Sequence, residues 1–214
     1  MKHKIQVSKT AIYYSEGNLK TAKTIWIVLH GYGMLANFFI RKFHPILNES
    51  TCVIAPEGLS KFYNKGFNGR VGATWMTKQD RTEEIEDYIA YLDQFYKTII
   101  SENNVKDVKI NIVGFSQGGA TASRWVANKQ VTPNNFILWA SAFPDEINLK
   151  KFDTDMNTFI LFGDDDEFIS EEQIAKQKEF YHDKKFNFKF IPFKGNHNIP
   201  KEVLVKQTLN NNWQ

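Results

Sequence analysis

The decisive stretch of this sequence reads Val108-Lys109-Ile110-Asn111-Ile112-Val113-Gly114-Phe115-Ser116-Gln117-Gly118. Its first half, Val108 to Val113, is a short run rich in β-branched residues, which predicts a buried strand. The small and apolar residues from Gln117 to Ala127 predict a helix. The serine, with a glycine two positions to either side, therefore lies at a sharp junction between a strand and a helix.

Short β-branched runs of the same kind alternate with longer stretches of helical period. This alternation predicts an α/β fold with a mostly parallel central sheet flanked by helices. The other expected buried strands are Ile25 to Leu29, Cys52 to Ala55, Phe136 to Trp139, Phe159 to Phe162 and Phe186 to Ile191. Near the N-terminus, Ile5 to Val7 and Ala11 to Tyr14 leave no room for a helix between them, so we expect them to form an antiparallel pair at an edge.

Three helices carry start signals. Asp80-Arg81-Thr82-Glu83 and Ser170-Glu171-Glu172-Gln173 have the spacing of a capping box, and Pro200 suits the first turn of a last helix. Gly58 to Trp75 shows no clear period and predicts a long glycine-spaced loop, a kind of segment that is usually functional or disordered. Only Ala140 to Asn157 separates two central strands, so we expect no cap domain and an open site.

The bulk composition predicts one globular domain over residues 1–214. The chain is 42% hydrophobic and 24% charged, with a mean hydropathy of −0.43. No apolar run approaches the ~20 residues of a transmembrane helix. The net charge of +3 comes without a long basic block, which argues against a nucleic-acid partner.

Cys52 is the only cysteine, so no internal disulfide is possible. Its place in an expected strand predicts a buried thiol with a packing role. The N-terminal residues alternate polar and apolar side chains instead of forming the apolar core of a signal peptide. We therefore expect a cytoplasmic protein.

Ser116 has the setting of a nucleophile. Gly-x-Ser-x-Gly between a strand and a helix is the signature of the nucleophile turn of α/β-hydrolases, although the same five residues also occur in ordinary turns. An acyl-transfer site also needs two N–H donors for the oxyanion of the tetrahedral intermediate. One donor should be Gln117, and the other should be Tyr32 in the glycine-rich loop after the first parallel strand. His30, at the start of that loop, is expected to support it.

The base and the acid must follow the serine, because the order in this fold is serine, acid, histidine. Only His182 and His197 follow Ser116. His182 lies in a charged helix end that is expected to face solvent, whereas His197 lies in a loop between the last strand and the last helix. The acid candidates are Asp164, Asp165, Asp166 and Glu167, and their spacing alone does not choose among them.

These motifs together resemble the phospholipase/carboxylesterase family, a group of small α/β-hydrolases without a cap that includes acyl-protein thioesterases. The resemblance rests on segments Leu29 to Gly33, Arg70 to Met76, Gly114 to Gly119, Gly163 to Ile169, and on His197. It implies Ser116 as nucleophile, His197 as base, and Asp166 as acid, since Asp166 is the second aspartate of a Gly-Asp-x-Asp segment. It also implies Tyr32 and Gln117 as oxyanion donors.

The expected activity is hydrolysis of small carboxylic esters through an acyl-enzyme, with thioesters and lysophospholipids as variants. No metal or other cofactor is required. Trp75, Phe143 and Phe168 are candidates for the wall of an apolar acyl pocket, and Arg70 either pairs with an anionic substrate group or faces solvent. The alternatives are a peptidase, a C–C bond hydrolase, or a noncatalytic binding module on the same fold. The sequence does not predict the oligomeric state.

Overall fold

The computed structural model describes residues 1–102, 105, 107–152, 156–183 and 186–214. The strands within these residues are β1 Tyr13–Glu16, β2 Thr24–Leu29, β3 Thr51–Pro56, β4 Ser60–Tyr63, β5 Val71–Thr74, β6 Lys109–Phe115, β7 Asn135–Trp139, β8 Asn157–Gly163 and β9 Lys189–Phe193. The α-helices are α1 Ala36–Phe39, α2 Arg81–Lys97, α3 Gln117–Ala127, α4 Glu171–Asp183 and α5 Lys201–Asn210.

Among the described residues, seven strands form one sheet in the order β1-β3-β2-β6-β7-β8-β9. β1 pairs antiparallel with β3, and the remaining neighbours are parallel. The expected α/β architecture is therefore confirmed. The chain moves from β2 and β3 on one side of β6 to β7, β8 and β9 on the other, and the loops at such a switch point form the usual ligand crevice of an open parallel sheet.

Helices cover both faces of the sheet because alternate residues of each buried strand point to opposite sides. From β2, Ile25, Ile27 and Leu29 pack with residues of α2, α3 and α4. Trp26 and Val28 pack on the other face, against the segment that includes α1 and against α5. Strands buried on both faces read as continuous apolar runs, which is why the sequence indicated them clearly.

Two expectations about the N-terminal third are wrong. Ile5 to Val7 form no strand and are exposed; the edge strand is β1, and it pairs with β3 instead of with an N-terminal neighbour. The segment Gly58 to Trp75 is not one long loop, since it contains the β4–β5 hairpin. A hairpin of four-residue strands carries too little periodicity to be distinguished from a loop by sequence.

One of the two expected capping boxes is present. Ser170 Oγ accepts the N–H of Gln173, and Gln173 Oε1 accepts the N–H of Ser170, at the start of α4. Asp80 precedes α2 as expected, but its carboxylate pairs with Lys2 and does not cap the helix. The backbone of Asp80 has φ 52° and ψ 37°, a left-handed conformation, whereas a capping residue is normally extended.

Candidate active site

Ser116 lies in a strained turn between β6 and α3. Its backbone has φ 52° and ψ −121°, a region that non-glycine residues rarely adopt and that costs on the order of 1–3 kcal/mol. Hydrogen bonds tie the turn to β7 and to the loop after it: Ser116 N–H donates to the Trp139 carbonyl at 3.0 Å, and the Ser141 hydroxyl donates to the Ser116 carbonyl at 2.8 Å. The neighbouring strand β7 and the loop after it therefore fix the serine at the carboxyl edge of the sheet.

The glycines around Ser116 are required by close backbone approaches. A Cβ on Gly114 would lie 2.4 Å from the Gly119 Cα, and one on Gly118 would lie 2.3 Å from the Leu29 carbonyl oxygen. These distances are shorter than any tolerated contact, so no side chain fits at either position. The turn can therefore pack α3 tightly against β6 and against the end of β2.

Asp166 and His197 form a hydrogen-bonded pair at the same edge of the sheet. His197 Nδ1 lies 2.8 Å from Asp166 Oδ2 and 3.0 Å from Oδ1. The Asp166 side chain is fully buried, and that of His197 is 12% exposed. The pair comes together because β8 and β9 are parallel neighbours and each residue follows its strand.

The other acidic residues of this turn have different partners. Asp164 accepts the Gly195 N–H at 3.0 Å and pairs with Lys194, and these contacts lower the pKa of its carboxyl group. Glu167 accepts the backbone N–H of His197 at 3.3 Å, while Asp165 is exposed. Only Asp166 of the four acidic candidates bonds the imidazole ring, a distinction that the sequence spacing alone did not make.

Aromatic rings enclose the imidazole of His197. The Phe115 and Phe168 ring centroids lie 5.0 Å and 4.8 Å from that of His197. Since Phe115 immediately precedes Ser116, this packing brings the histidine towards the serine turn. Within the described residues Ser116 Oγ makes no hydrogen bond to His197, and such catalytic bonds often form fully only in the substrate complex.

The loop after β2, residues 30–35, passes close to the serine. A Cβ on Gly31 would lie 3.2 Å from the Ser116 Cβ. In the described part of the chain, the N–H groups of Tyr32 and Gln117 have no hydrogen-bond acceptor. The Gln117 N–H is free because the first N–H groups of a helix have no partner within it. Both expected oxyanion donors therefore remain available.

His30 holds the start of this loop. Its Nε2 accepts the Gly58 N–H at 3.0 Å, so its Nδ1 carries the proton and donates to the Gly31 carbonyl at 2.8 Å. The ring is fully buried and stacks on Trp75. Burial lowers the pKa of His30, which keeps the imidazole neutral, as the expected supporting role requires.

Two supporting side chains were not predicted from the sequence. The Gln117 side chain accepts the Trp75 N–H at 3.2 Å and donates to the Met76 carbonyl at 2.8 Å, which ties the segment after β5 to the serine turn. The buried Glu57 carboxylate accepts the Ala36 N–H at 3.0 Å. The one sequence signal for the Glu57–Ala36 contact was the position of this acidic residue directly after the buried strand β3.

The three expected pocket residues lie in different surroundings. Trp75 is buried, and its indole N–H donates to the His30 carbonyl at 2.8 Å. Phe143 is buried among the rings of Phe136, Phe152 and other aromatic residues. Phe168 is exposed beside His197. Packing in the protein interior accounts for the burial of Trp75 and Phe143. Contact between the substrate and any of the three residues stays a prediction.

A cleft of about 630 Å³ opens beside the loop after β2. Its walls are mostly apolar and come from that loop, from the helical segment after it and from the β4–β5 hairpin; they include Met34, Leu35, Phe38, Phe39 and Val71. Lys42 and Arg70 also line it. We call this the β2-loop cleft.

The described residues lack both a metal-binding cluster and a membrane-spanning helix. They contain no cluster of three His, Cys, Asp or Glu side chains arranged to hold a metal ion. Their helices include none with the length and apolar character needed to cross a membrane.

Comparisons with known proteins agree with this architecture. A model of the phospholipase/carboxylesterase family matches residues 14–209. No curated protein matches the chain significantly. Acyl-protein thioesterase 2 of Zea mays has a TM-score of 0.70 at 16% identity, covering 96% of this chain and 100% of its own.

Two further solved structures give the same result. Esterase PE8 has a TM-score of 0.69 at 18% identity, with coverage of 95% and 99% of the two chains. A carboxylesterase from Mesorhizobium loti has a TM-score of 0.67 at 16% identity, with coverage of 88% and 89%. At these identities the likeness is one of fold.

Proposed function

Since the chain belongs to the phospholipase/carboxylesterase family, we propose that it is a serine esterase that hydrolyses small carboxylic esters through an acyl-enzyme on Ser116. The observation that carries the proposal is the buried Asp166–His197 pair, which lies at the same edge of the sheet as the strained turn of Ser116. Thioesters are chemically close substrates, because the same attack on a carbonyl carbon cleaves them.

In the proposed first step, Ser116 Oγ attacks the carbonyl carbon while His197 takes the hydroxyl proton. Asp166 accepts the hydrogen bond from His197 Nδ1–H, which leaves Nε2 free as the base and stabilises the imidazolium that forms. The carbonyl oxygen becomes an oxyanion between the N–H groups of Tyr32 and Gln117. Each such donor contributes about 3–4 kcal/mol to transition-state stabilisation.

The intermediate then collapses to the acyl-enzyme. The bond to the alcohol oxygen breaks, and His197 returns its proton to that oxygen. In the second step, His197 removes a proton from water, the hydroxide attacks the acyl carbon, and Ser116 regains its proton as the acid leaves. Water is the only co-reactant in this sequence.

Replacing the nucleophile tests the proposal. Ser116→Ala should lower turnover of p-nitrophenyl butyrate by about 10⁶-fold, because the variant has no group to form the acyl-enzyme. A fluorophosphonate probe should label the wild type and not the variant. Ser8→Ala, a change at an exposed serine, is the matched control and should keep both properties.

The opposite results would decide between this proposal and other functions of the fold. Wild-type turnover in Ser116→Ala would exclude the acyl-enzyme mechanism. A wild-type protein that neither hydrolyses esters nor reacts with the probe would instead support a noncatalytic binding module.

The single cysteine also supports a cytoplasmic location, which stays a proposal.

A further inference from the structure

The β2-loop cleft combines apolar walls with two cations and no acid. Lys42 and Arg70 line it, and no aspartate or glutamate does among the residues that the structure describes. Lys42 is half-buried, and its amine donates to the amide oxygen of Asn198, which does not neutralise it. Burial lowers the pKa of Lys42, which reflects the cost of desolvating a cation without a carboxylate partner.

Arg70 adds a second positive charge to the lining of the cleft. It lies just before β5, and neither Arg70 nor Lys42 forms an ion pair within the described part of the chain. Guanidinium groups bind carboxylate and phosphate with two parallel hydrogen bonds. A ligand anion in this cleft would therefore meet two cations with no competing protein carboxylate.

The cleft is close to the proposed reaction centre at two points. Its lining begins at Gly33, two residues after Gly31, which approaches Ser116; two residues of chain span at most about 7 Å. Asn198, the partner of Lys42, directly follows His197. A group held by these cations would therefore lie within reach of an ester carbonyl at Ser116.

From this arrangement we infer that the substrate carries an anionic group, a carboxylate or a phosphate, on a short apolar spacer that occupies the β2-loop cleft. The inference rests on the proposed esterase function and names its substrate class. The spacer packs on Met34, Phe38 and Val71, and the anion lies between Lys42 and Arg70.

Two matched pairs of esters test the inference. The first compares the p-nitrophenyl monoester of glutarate with p-nitrophenyl 5-methylhexanoate, in which an isopropyl group replaces the acyl-side carboxylate. The second places the anion on the alcohol side and compares the butanoyl ester of 3-hydroxypropyl phosphate with 5,5-dimethylhexyl butanoate, in which a neopentyl group replaces the phosphate and its ester oxygen. In one of the two pairs we expect kcat/KM to be about tenfold higher for the anionic ester, as befits a charge-assisted contact.

Charge variants connect that preference to the cleft. Lys42→Met and Arg70→Gln should each lower the ratio of anionic to neutral kcat/KM by about threefold, while Lys42→Arg should keep most of it. The ratio cancels any effect that a change at Lys42 has on His197 through Asn198. Lys65→Gln, which removes an exposed lysine of the same hairpin that does not line the cleft, is the control and should leave the ratio unchanged.

The outcomes separate this inference from the proposed function. Hydrolysis of neutral esters with no anionic preference in either pair, or a preference that both charge variants keep, would overturn the inference and leave the esterase function standing. If no ester is turned over, calorimetry measures binding of monomethyl glutarate and of the butanoyl ester of 3-hydroxypropyl phosphate to Ser116→Ala. Binding of either compound that Arg70→Gln weakens would support the anion site, and binding of neither would overturn it.

Discussion

His197 Nδ1 lies 2.8 Å from Oδ2 of Asp166, and the carboxylate is fully buried. The Phe168 N–H also donates to Asp166 Oδ1 at 2.9 Å. The carboxylate is therefore held in one orientation and shielded from water, which strengthens its hydrogen bond to the ring. Its position singles out Asp166 from a run of four acidic residues.

Replacing this carboxylate by an amide should remove most of the activity. Asp166→Asn keeps the side-chain shape but loses the acceptor that selects the Nδ1–H tautomer, so we expect kcat for p-nitrophenyl butyrate to fall about 10⁴-fold. Asp165→Asn, at the exposed neighbour, is the control and should stay within about twofold. Equal losses in the two variants would refute the assignment of Asp166.

His30 should make stability depend on pH. Burial lowers its pKa below the ordinary 6.5, so on acidification the unfolded chain takes up a proton before the folded protein does. The contribution of neutral His30 to the free energy of unfolding is therefore fully present above about pH 6.5. It is lost as the pH falls towards the folded-state pKa, by up to about 1.4 kcal/mol per pH unit.

Urea unfolding of His30→Gln checks this expectation. At pH 7.5 the variant should lose about 2–3 kcal/mol of unfolding free energy, because the Gly58 N–H and the Gly31 carbonyl lose a well-placed partner. The difference from wild type should shrink between pH 6.5 and pH 5.5, while His3→Gln, an exposed control, should follow the wild type throughout. A difference that is constant with pH would contradict a neutral, buried His30.

A methyl group at Gly118 should disturb the serine turn. The Cβ of Gly118→Ala would lie 2.3 Å from the Leu29 carbonyl oxygen and 2.6 Å from that of His30, both backbone atoms that cannot rotate away. We expect a loss of about 1–3 kcal/mol in unfolding free energy together with a large loss of esterase activity. Gly66→Ala, with open space around its Cβ and only a positive φ to strain it, should cost about 1 kcal/mol and leave activity intact. The prediction fails if thermal unfolding and activity of the two variants are alike.

Cys52 should be unreactive in the folded protein. Its side chain is fully buried in β3, and burial raises the pKa of its thiol to about 11. Since the thiolate is the reactive form, Ellman's reagent at pH 8 should modify Cys52 only after unfolding in urea. Stoichiometric reaction of the native protein within minutes would show that β3 opens readily.

The sequence predicted the strands that are buried on both faces of the sheet. It also predicted the serine turn, which has a strong local signal. Continuous apolar runs indicated the parallel strands, and the glycines of the Gly114 to Gly118 motif indicated the serine turn, because backbone crowding at Gly114 and at Gly118 excludes any side chain. Elements held by few local interactions were mispredicted. The β4–β5 hairpin looked like a loop, and the Asp80 carboxylate pairs with Lys2, 78 residues away.

The sequence by itself determined that a serine follows a buried strand, that few histidines follow it, and that an acidic run precedes the last of them. Local backbone sterics and chain order suffice for those conclusions. Only the tertiary structure decided that Asp166 bonds His197, that His30 is a buried neutral support, and that Lys42 and Arg70 face one cleft. The reason is that strand order in the sheet, which sequence spacing does not specify, sets which loops meet at its carboxyl edge.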